Sequence, residues 1–390
     1  MKKIAFDLIG AEVGRYGVIN HGGGEYVKTI CSYFCNHNDG SDIYCIISGK
    51  DNNMIEFLKQ FNVKIQKCCD FKTFQNVLNT ELFDVLYCGL VHKYYTNISV
   101  PKFTQLIITI HGLRPLELID KYDNYCIKIE RKKYKNIIKK FLAKFSNSFY
   151  KRKVLNTFRK LLNITPNEKI FTVSNHSKFA IQYYYPECKN VYVGYSPMKI
   201  SNPTQNEPKI LEEYGLKSHK YILLNGGNRW EKNCLRAIEA LDDLYCKNLI
   251  DKDVKVVITG VTYDKPFIKY KNIPLVMLKY VPTQVLETLY QFAHLFVYPT
   301  INEGFGYPPL EAMKYHTLVA CSAICSIPEV CGDSVMYFNP YDQAEIKNRV
   351  LQSFDCVIRE YYISKIDERL NYINSKQEEG LIFITKVLQS

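Results

Sequence analysis

Short apolar runs alternate with longer stretches of helical period along most of the chain. In the first part the runs are KIAFDLIG, DIYCIISG, VKIQKC, FDVLYCG and QLIITIHG, and KIFTVS and NVYVGYS follow a strongly basic stretch. Their apolar residues are continuous more than alternating, the mark of strands covered on both faces. A second series comprises KYILLNGG, VKVVITG, PLVML, LFVYPT, TLVACSA and SVMYFNP, with helices expected between them, such as Lys232–Tyr245 and Thr283–His294. Strand and helix alternating through short loops predict an α/β chain with parallel, doubly wound sheets. Between the two series lies SNPTQNEPK, whose two prolines and polar residues mark a linker. The expected organisation is a Rossmann-like domain over 1–196 and a linker over 197–217. A second Rossmann-like domain follows over 218–353, then helices over 354–390 that pack on either domain, the first being a candidate.

A length of 390 residues suits two domains better than one core. The N-terminal MKKIAFDLIGAE is broken by Asp7 and is too short for a signal h-region, so it reads as a first strand. No run approaches the roughly 18 apolar residues that a spanning helix needs. The expected location is therefore cytoplasmic, with a peripheral position at the inner face of the cytoplasmic membrane as a further candidate. The fourteen cysteines form no CxxC pair and have no histidine at ligand spacing, and they read as reduced, small apolar residues.

The formal charge of +12 is concentrated in one place. Between Tyr125 and Thr165 thirteen Lys and Arg face one acidic residue, Glu130, which accounts for the whole excess. The same segment carries an apolar stripe at helical spacing, Tyr134, Ile137, Ile138, Phe141, Leu142, Phe145 and Phe149. Two readings follow: an apolar face packed on the first domain with solvated lysines, or a helix lying on anionic lipid over 125–165. A nucleic-acid partner is not expected, because no nucleic-acid motif accompanies the charge.

The residues with the clearest chemistry lie in YPTINEGFGYPPLEAM, 298–313. Pro308 and Pro309 suit a helix entry, which leaves Gly304, Phe305, Gly306 and Tyr307 in a loop whose amides favour a pyrophosphate or sugar oxygens. Glu303 would be repelled by phosphate, so it is expected to accept hydroxyls of a sugar. Glu311 is expected in the first helical turn, facing ribose hydroxyls. In LLNGGNRWEKN, 223–233, Arg229 and Lys232 stand at the start of a helix, where cations oppose the dipole unless an anion neutralises them. The triplet in NHGGGEYVK puts Gly23 and Gly24 at another helix start, without the spacing of a dinucleotide fingerprint. His111, at the end of the fifth strand in TIHGLRPLE, sits where open α/β sheets bind ligands; Arg114 and Glu117 are weaker candidates for acceptor contacts.

The segment EGFGYPPLEAM resembles the Glu-x7-Glu signature of retaining family-4 glycosyltransferases of the GT-B fold. The likeness extends back through LKYVPTQVLETLYQFAHLFVYPT and on through VACSAICSIPEVCGDSVMYFNP. The resemblance implies two Rossmann-like domains facing across a donor-binding cleft, and a basic pair that binds the donor diphosphate. Gly227 stands where that family often has an arginine, and Arg229 two residues later is its candidate substitute. By the same resemblance Gly227, Tyr280 and Val281 are candidate donor contacts, and His111 lies in the active site.

The implied activity is metal-independent, retaining transfer of a hexose-type sugar from a nucleotide-diphosphate sugar to a glycan or lipid-linked glycan, in bacterial surface polysaccharide assembly. No cofactor and no metal are expected, and no Asp-x-Asp motif stands out. Arg229, Lys232 and the loop amides would stabilise the leaving diphosphate, and the leaving phosphate itself would help deprotonate the acceptor. The alternative is an inactive shell that binds a nucleotide sugar or polyanion. Glu303→Ala and Lys232→Ala are expected to abolish transfer and leave folding intact.

Overall fold

The computed structural model describes residues 1–12, 22–118, 125, 129, 147–162, 169–197 and 209–390. The chain divides into two compact units. One is Met1–Leu113, Arg152–Ile200 and Asn374–Ser390; the other is Arg114–Lys151 and Ser201–Ile373.

The first unit is built on seven strands: β1 (Lys3–Asp7), β2 (Asp42–Ile47), β3 (Lys64–Lys67), β4 (Val85–Cys88), β5 (Gln105–Ile110), β6 (Lys169–Thr172) and β7 (Val191–Val193). They lie in the order β3-β2-β1-β4-β5-β6-β7, and every neighbouring pair is parallel. The second unit holds β8 (Tyr221–Asn225), β9 (Lys255–Thr259), β10 (Leu275–Met277), β11 (Leu295–Tyr298), β12 (Val319–Ser322) and β13 (Met336–Phe338). Their order is β10-β9-β8-β11-β12-β13, again all parallel. Every apolar run singled out in the sequence is one of these strands. The reason is visible in their burial: β4, β11 and β12 are buried at every position, as strands of a parallel sheet are.

Both sheets have a topological switch point, where successive strands leave in opposite directions. In the first unit it lies between β1 and β4. Asp7 ends β1 there, fully buried, and accepts from His92 Nε2 at 2.7 Å, Tyr95 Oη at 2.8 Å and the Ile9 amide at 3.0 Å. In the second unit it lies between β8 and β11. The C-terminal helix Ile366–Gln389 contributes to both units, since the division falls between Ile373 and Asn374. Its later part is tied to the first unit by Gln377 Nε2 donating to Ser196 O at 2.6 Å.

The helices were placed closely by their patterns but not at every boundary. Thr283–Gln291 is shorter than expected. The stretch from Lys232 splits into a 3-10 turn, Trp230–Lys232, and the helix Cys234–Cys246, because Asn233 adopts a left-handed conformation (φ 54°) between them. Of the basic segment, Tyr125 and Ile129 pack in the second unit, Ile129 inside its apolar core and Tyr125 against it. The aromatic stripe over 134–145 lies outside the described residues; Asn147–Leu162 is helical. Among the described residues no helix is long and apolar enough to cross a membrane.

Candidate functional site

Open α/β sheets bind ligands beyond the carboxyl ends of their strands, at the switch point. In the second unit that position is occupied by two loops. One leaves β8 through Gly226 and Gly227 to the turn Trp230–Lys232; the other leaves β11 through Thr300 to Gly306. They are stitched together by Ile301 N and Thr300 Oγ1, which donate to Glu231 O at 2.8 and 3.1 Å.

The stitching brings Lys232 onto Glu303. Lys232 Nζ donates to Glu303 Oε1 at 2.5 Å and to the hydroxyl of Tyr298, and lies 4.8 Å over the Tyr298 ring. Tyr298 Oη and Thr300 Oγ1 donate to the same Glu303 oxygen at 2.7 and 2.8 Å. Both charged side chains are about nine-tenths buried. Burial alone would raise the Glu303 carboxyl, but the Lys232 and Arg114 charges and the donors from Lys232 and Tyr298 outweigh it and hold it down to about 2. Burial lowers Lys232, against the pull of Glu303. The Glu303 carboxyl is therefore ionised at neutral pH.

A second carboxylate binds the remaining cations. Glu231 Oε1 accepts from Arg229 Nη2 at 2.7 Å, Arg229 Nε at 2.9 Å and Arg114 Nη1 at 3.0 Å. Burial raises the Glu231 carboxyl, and the two guanidiniums more than reverse that, leaving it below its ordinary value. A diphosphate was expected to neutralise Arg229 and Lys232; each already has a carboxylate partner in the structure. Neither opposes a helix dipole directly, because Asn233 separates the turn from the helix.

The other sequence-derived residues fall into place around this pair, some in altered roles. Glu311 sits past the first turn of Tyr307–Met313, which has no acidic residue in that turn, because Tyr307, not Pro309, begins the helix. It accepts from Tyr290 Oη at 3.3 Å, and Asn225 at the end of β8 donates to the same hydroxyl at 3.3 Å. Burial pushes its carboxyl up. Phe305 is buried, so its side chain is core, packed 5.3 Å from the Tyr307 ring. Ser326 Oγ fixes the loop through Glu303 O and Phe305 O at 3.1 and 2.8 Å. Gly306 (φ 106°) is the left-handed cap before the helix, and Gly304 is half-buried in the loop.

Gly227, a candidate donor contact, is tightly packed. Its amide donates to Thr259 O at 2.9 Å, and a Cβ there would come within 2.7 Å of Val261 and 2.9 Å of Ile258. The close packing explains why no arginine stands at this position. Tyr280 and Val281 lie on the same carboxyl edge but after β10, two strands from β8; Tyr280 is exposed and no hydrogen bond joins it to the cluster among those described.

In the first unit Gly23 and Gly24 are in the first turn of the helix Gly22–Asn36, which also holds Glu25, paired to Lys28 at 3.3 Å. His111 follows β5 and is held edge-on to Tyr26 at 4.7 Å. Its Nε2 lies 2.8 Å from Gly89 O, which can only accept, so that nitrogen carries a proton committed to the backbone. Tyr298, Thr300 and Glu231 were not singled out from the sequence. The alternation Arg-Trp-Glu-Lys over 229–232 was the one available signal for Glu231.

Two Rossmann-like parallel sheets, with a cationic loop and a glutamate loop meeting at a switch point, define an α/β protein of the GT-B fold. Residues 206–365 match the family described as glycosyl transferases group 1. It is similar to O-antigen chain mannosyltransferase B of Escherichia coli, 47% identical over 76 residues, 20% of this chain and 20% of that one. The chain thus matches a fifth of that relative's length. Among solved structures it is similar to sucrose-phosphate synthase from Thermosynechococcus elongatus (TM-score 0.70, 12% identity, 100% of this chain and 98% of that one). It is also similar to Anabaena HepE in complex with UDP and glucose (TM-score 0.67, 14% identity, 98% and 99%).

Proposed function

We propose that this chain is a glycosyltransferase that moves a hexosyl group, mannosyl first among them, from a nucleotide-diphosphate sugar to a glycan or lipid-linked glycan in O-antigen assembly. The observation that carries this reading is the buried Lys232–Glu303 pair at the β8/β11 switch point, inside the stretch 206–365 that matches the group 1 family. The mannosyl choice is supported by the O-antigen chain mannosyltransferase it is similar to.

The geometry suits that chemistry. A leaving diphosphate gains charge as the glycosidic bond breaks, and preorganised cations stabilise it more in the transition state than in the ground state. Arg229 and Lys232 would supply the cations, in place of a divalent ion. Glu303, ionised and aimed by three donors, would hold a sugar hydroxyl. Glu311, one loop further on, would take a ribose hydroxyl. Transfer with retention, with the phosphate assisting acceptor deprotonation, rests on the family resemblance. Contact of the basic segment 125–165 with an anionic membrane would serve a lipid-linked acceptor.

A panel of nucleotide sugars tests the reading by thermal shift and by transfer. A ligand at 100 times its dissociation constant stabilises by about 2.7 kcal/mol, so the right donor stands out. If none shifts the melting temperature and none is consumed with any glycan acceptor, the reading is lost. An inverted anomer in the product, seen by NMR, would remove retention alone.

A further inference from the structure

At the switch point three cations, Arg114, Arg229 and Lys232, meet two carboxylates, Glu231 and Glu303. Lys232 pairs with Glu303 and Arg229 pairs with Glu231, one to one. Arg114, at the start of the short helix Arg114–Glu117 in the second unit, is the surplus cation of this group. Without it the two carboxylates match the two remaining cations one to one, so Arg114 supplies the net positive charge of the cluster.

Its placement is specific. A single oxygen, Glu231 Oε1, takes hydrogen bonds from Arg114 Nη1 and from both Nε and Nη2 of Arg229. That oxygen marks a point on which two guanidiniums converge, the geometry by which arginines grip phosphate. Arg114 is also incompletely used: its Nε is buried and has no hydrogen-bond partner, while its side chain as a whole is 40% exposed. A buried unpaired donor is uncommon enough to need an explanation, and a site awaiting an anion supplies one.

We propose that Arg114 is a third cation of the donor-diphosphate site, with Glu231 occupying in the free protein the place a phosphate oxygen takes on binding. This moves Arg114 from an acceptor contact, as its sequence position suggested, to the donor. The assignment rests on the nucleotide-sugar reading above. Glu231 then has a dual effect: it aims both guanidiniums and competes with the anion for them.

The test is calorimetric titration of the full chain with inorganic pyrophosphate, GDP and UDP. Loss of one charge-assisted contact weakens binding about tenfold or more, so Arg114→Gln is expected to bind pyrophosphate and the accepted nucleotide at least tenfold more weakly. Arg114→Lys is expected to keep most of the pyrophosphate affinity. Glu231→Gln separates competition from simple scaffolding, and works even if Arg114→Gln fails to fold. Removing the competing charge should tighten pyrophosphate binding several-fold, whereas a merely structural clamp would weaken it. Unchanged affinity in folded Arg114→Gln, or weaker binding in Glu231→Gln, overturns this assignment and leaves the wider reading standing. No binding of any of the three ligands by the unaltered chain overturns both.

Discussion

Lys232 and Glu303 are each about nine-tenths buried and satisfy one another, Tyr298 and Thr300. A buried pair of this kind gives little net stability over apolar packing, but taking away one partner strands the other and costs about 3–5 kcal/mol. The structure therefore revises the expectation that Glu303→Ala leaves folding intact. That variant should unfold at clearly lower urea concentration, as should Lys232→Ala. Glu303→Gln retains an oxygen for Tyr298 and Thr300 and should lose less stability, yet still lose transfer by about 100-fold or more. Urea titration beside a transfer assay checks this; full activity in folded Glu303→Gln would remove Glu303 from the site. The sign of the pH effect is also fixed. The Glu303 carboxyl, about 4.5 when free, is held down to about 2 when folded. Its contribution is complete above about 4.5 and is lost as pH falls from there toward 2. Between pH 5 and 8 donor affinity should show no step from this group.

At the scale of elements, the loops after β8 and β11 are held in shape by packing as much as by their own sequence. Gly306 has φ 106°, and a Cβ on it would come within 2.5 Å of Ile327 Cδ1. Left-handed strain and this clash together predict that Gly306→Ala costs about 2 kcal/mol or more. It should also weaken donor binding by shifting Glu303 on the same loop, and a variant as stable as the parent would contradict the loop geometry. These elements also mark what a sequence can and cannot reveal. The strands were legible because strands buried on both faces must be apolar throughout, and Glu303 because it stands in a distinctive local motif. The packing of Gly227 was not legible, because its amide and its Cα face Thr259, Ile258 and Val261, more than thirty positions away along the chain. Glu311 was misplaced by a turn because two adjacent prolines do not say which residue opens the helix. The pairing of Lys232 with Glu303 was invisible for a related reason: Glu303 reaches Lys232 only through the β8/β11 pairing.

At the scale of the whole molecule, two units in one chain make a single unfolding transition unsafe to assume. The chain has one tryptophan, Trp230, and it packs against the core of the second unit. Its fluorescence thus reports that unit selectively and lets acid sensitivity be assigned. His294 stacks on Phe354 at 4.4 Å, with Nε2 3.2 Å from Ser353 Oγ. Burial, reinforced by the Arg359 charge, lowers it from 6.5 to about 4. The unfolded chain therefore binds a proton that the folded unit refuses, so stability is complete above about 6.5 and declines as pH falls toward 4. Between pH 7 and 5 the loss should be at most about 2 kcal/mol, discounted for partial exposure. His294→Phe removes the titrating group and keeps a ring against Phe354. Its Trp230 urea midpoint should fall less than that of the parent over the same interval. Parallel falls in the two proteins would show that His294 is not the group responsible. The window also separates the two acid effects in this unit, because His294 acts above pH 4 while the Lys232–Glu303 pair holds until pH drops below about 4.5. A donor-binding loss seen between pH 7 and 5 would then not come from protonation of Glu303.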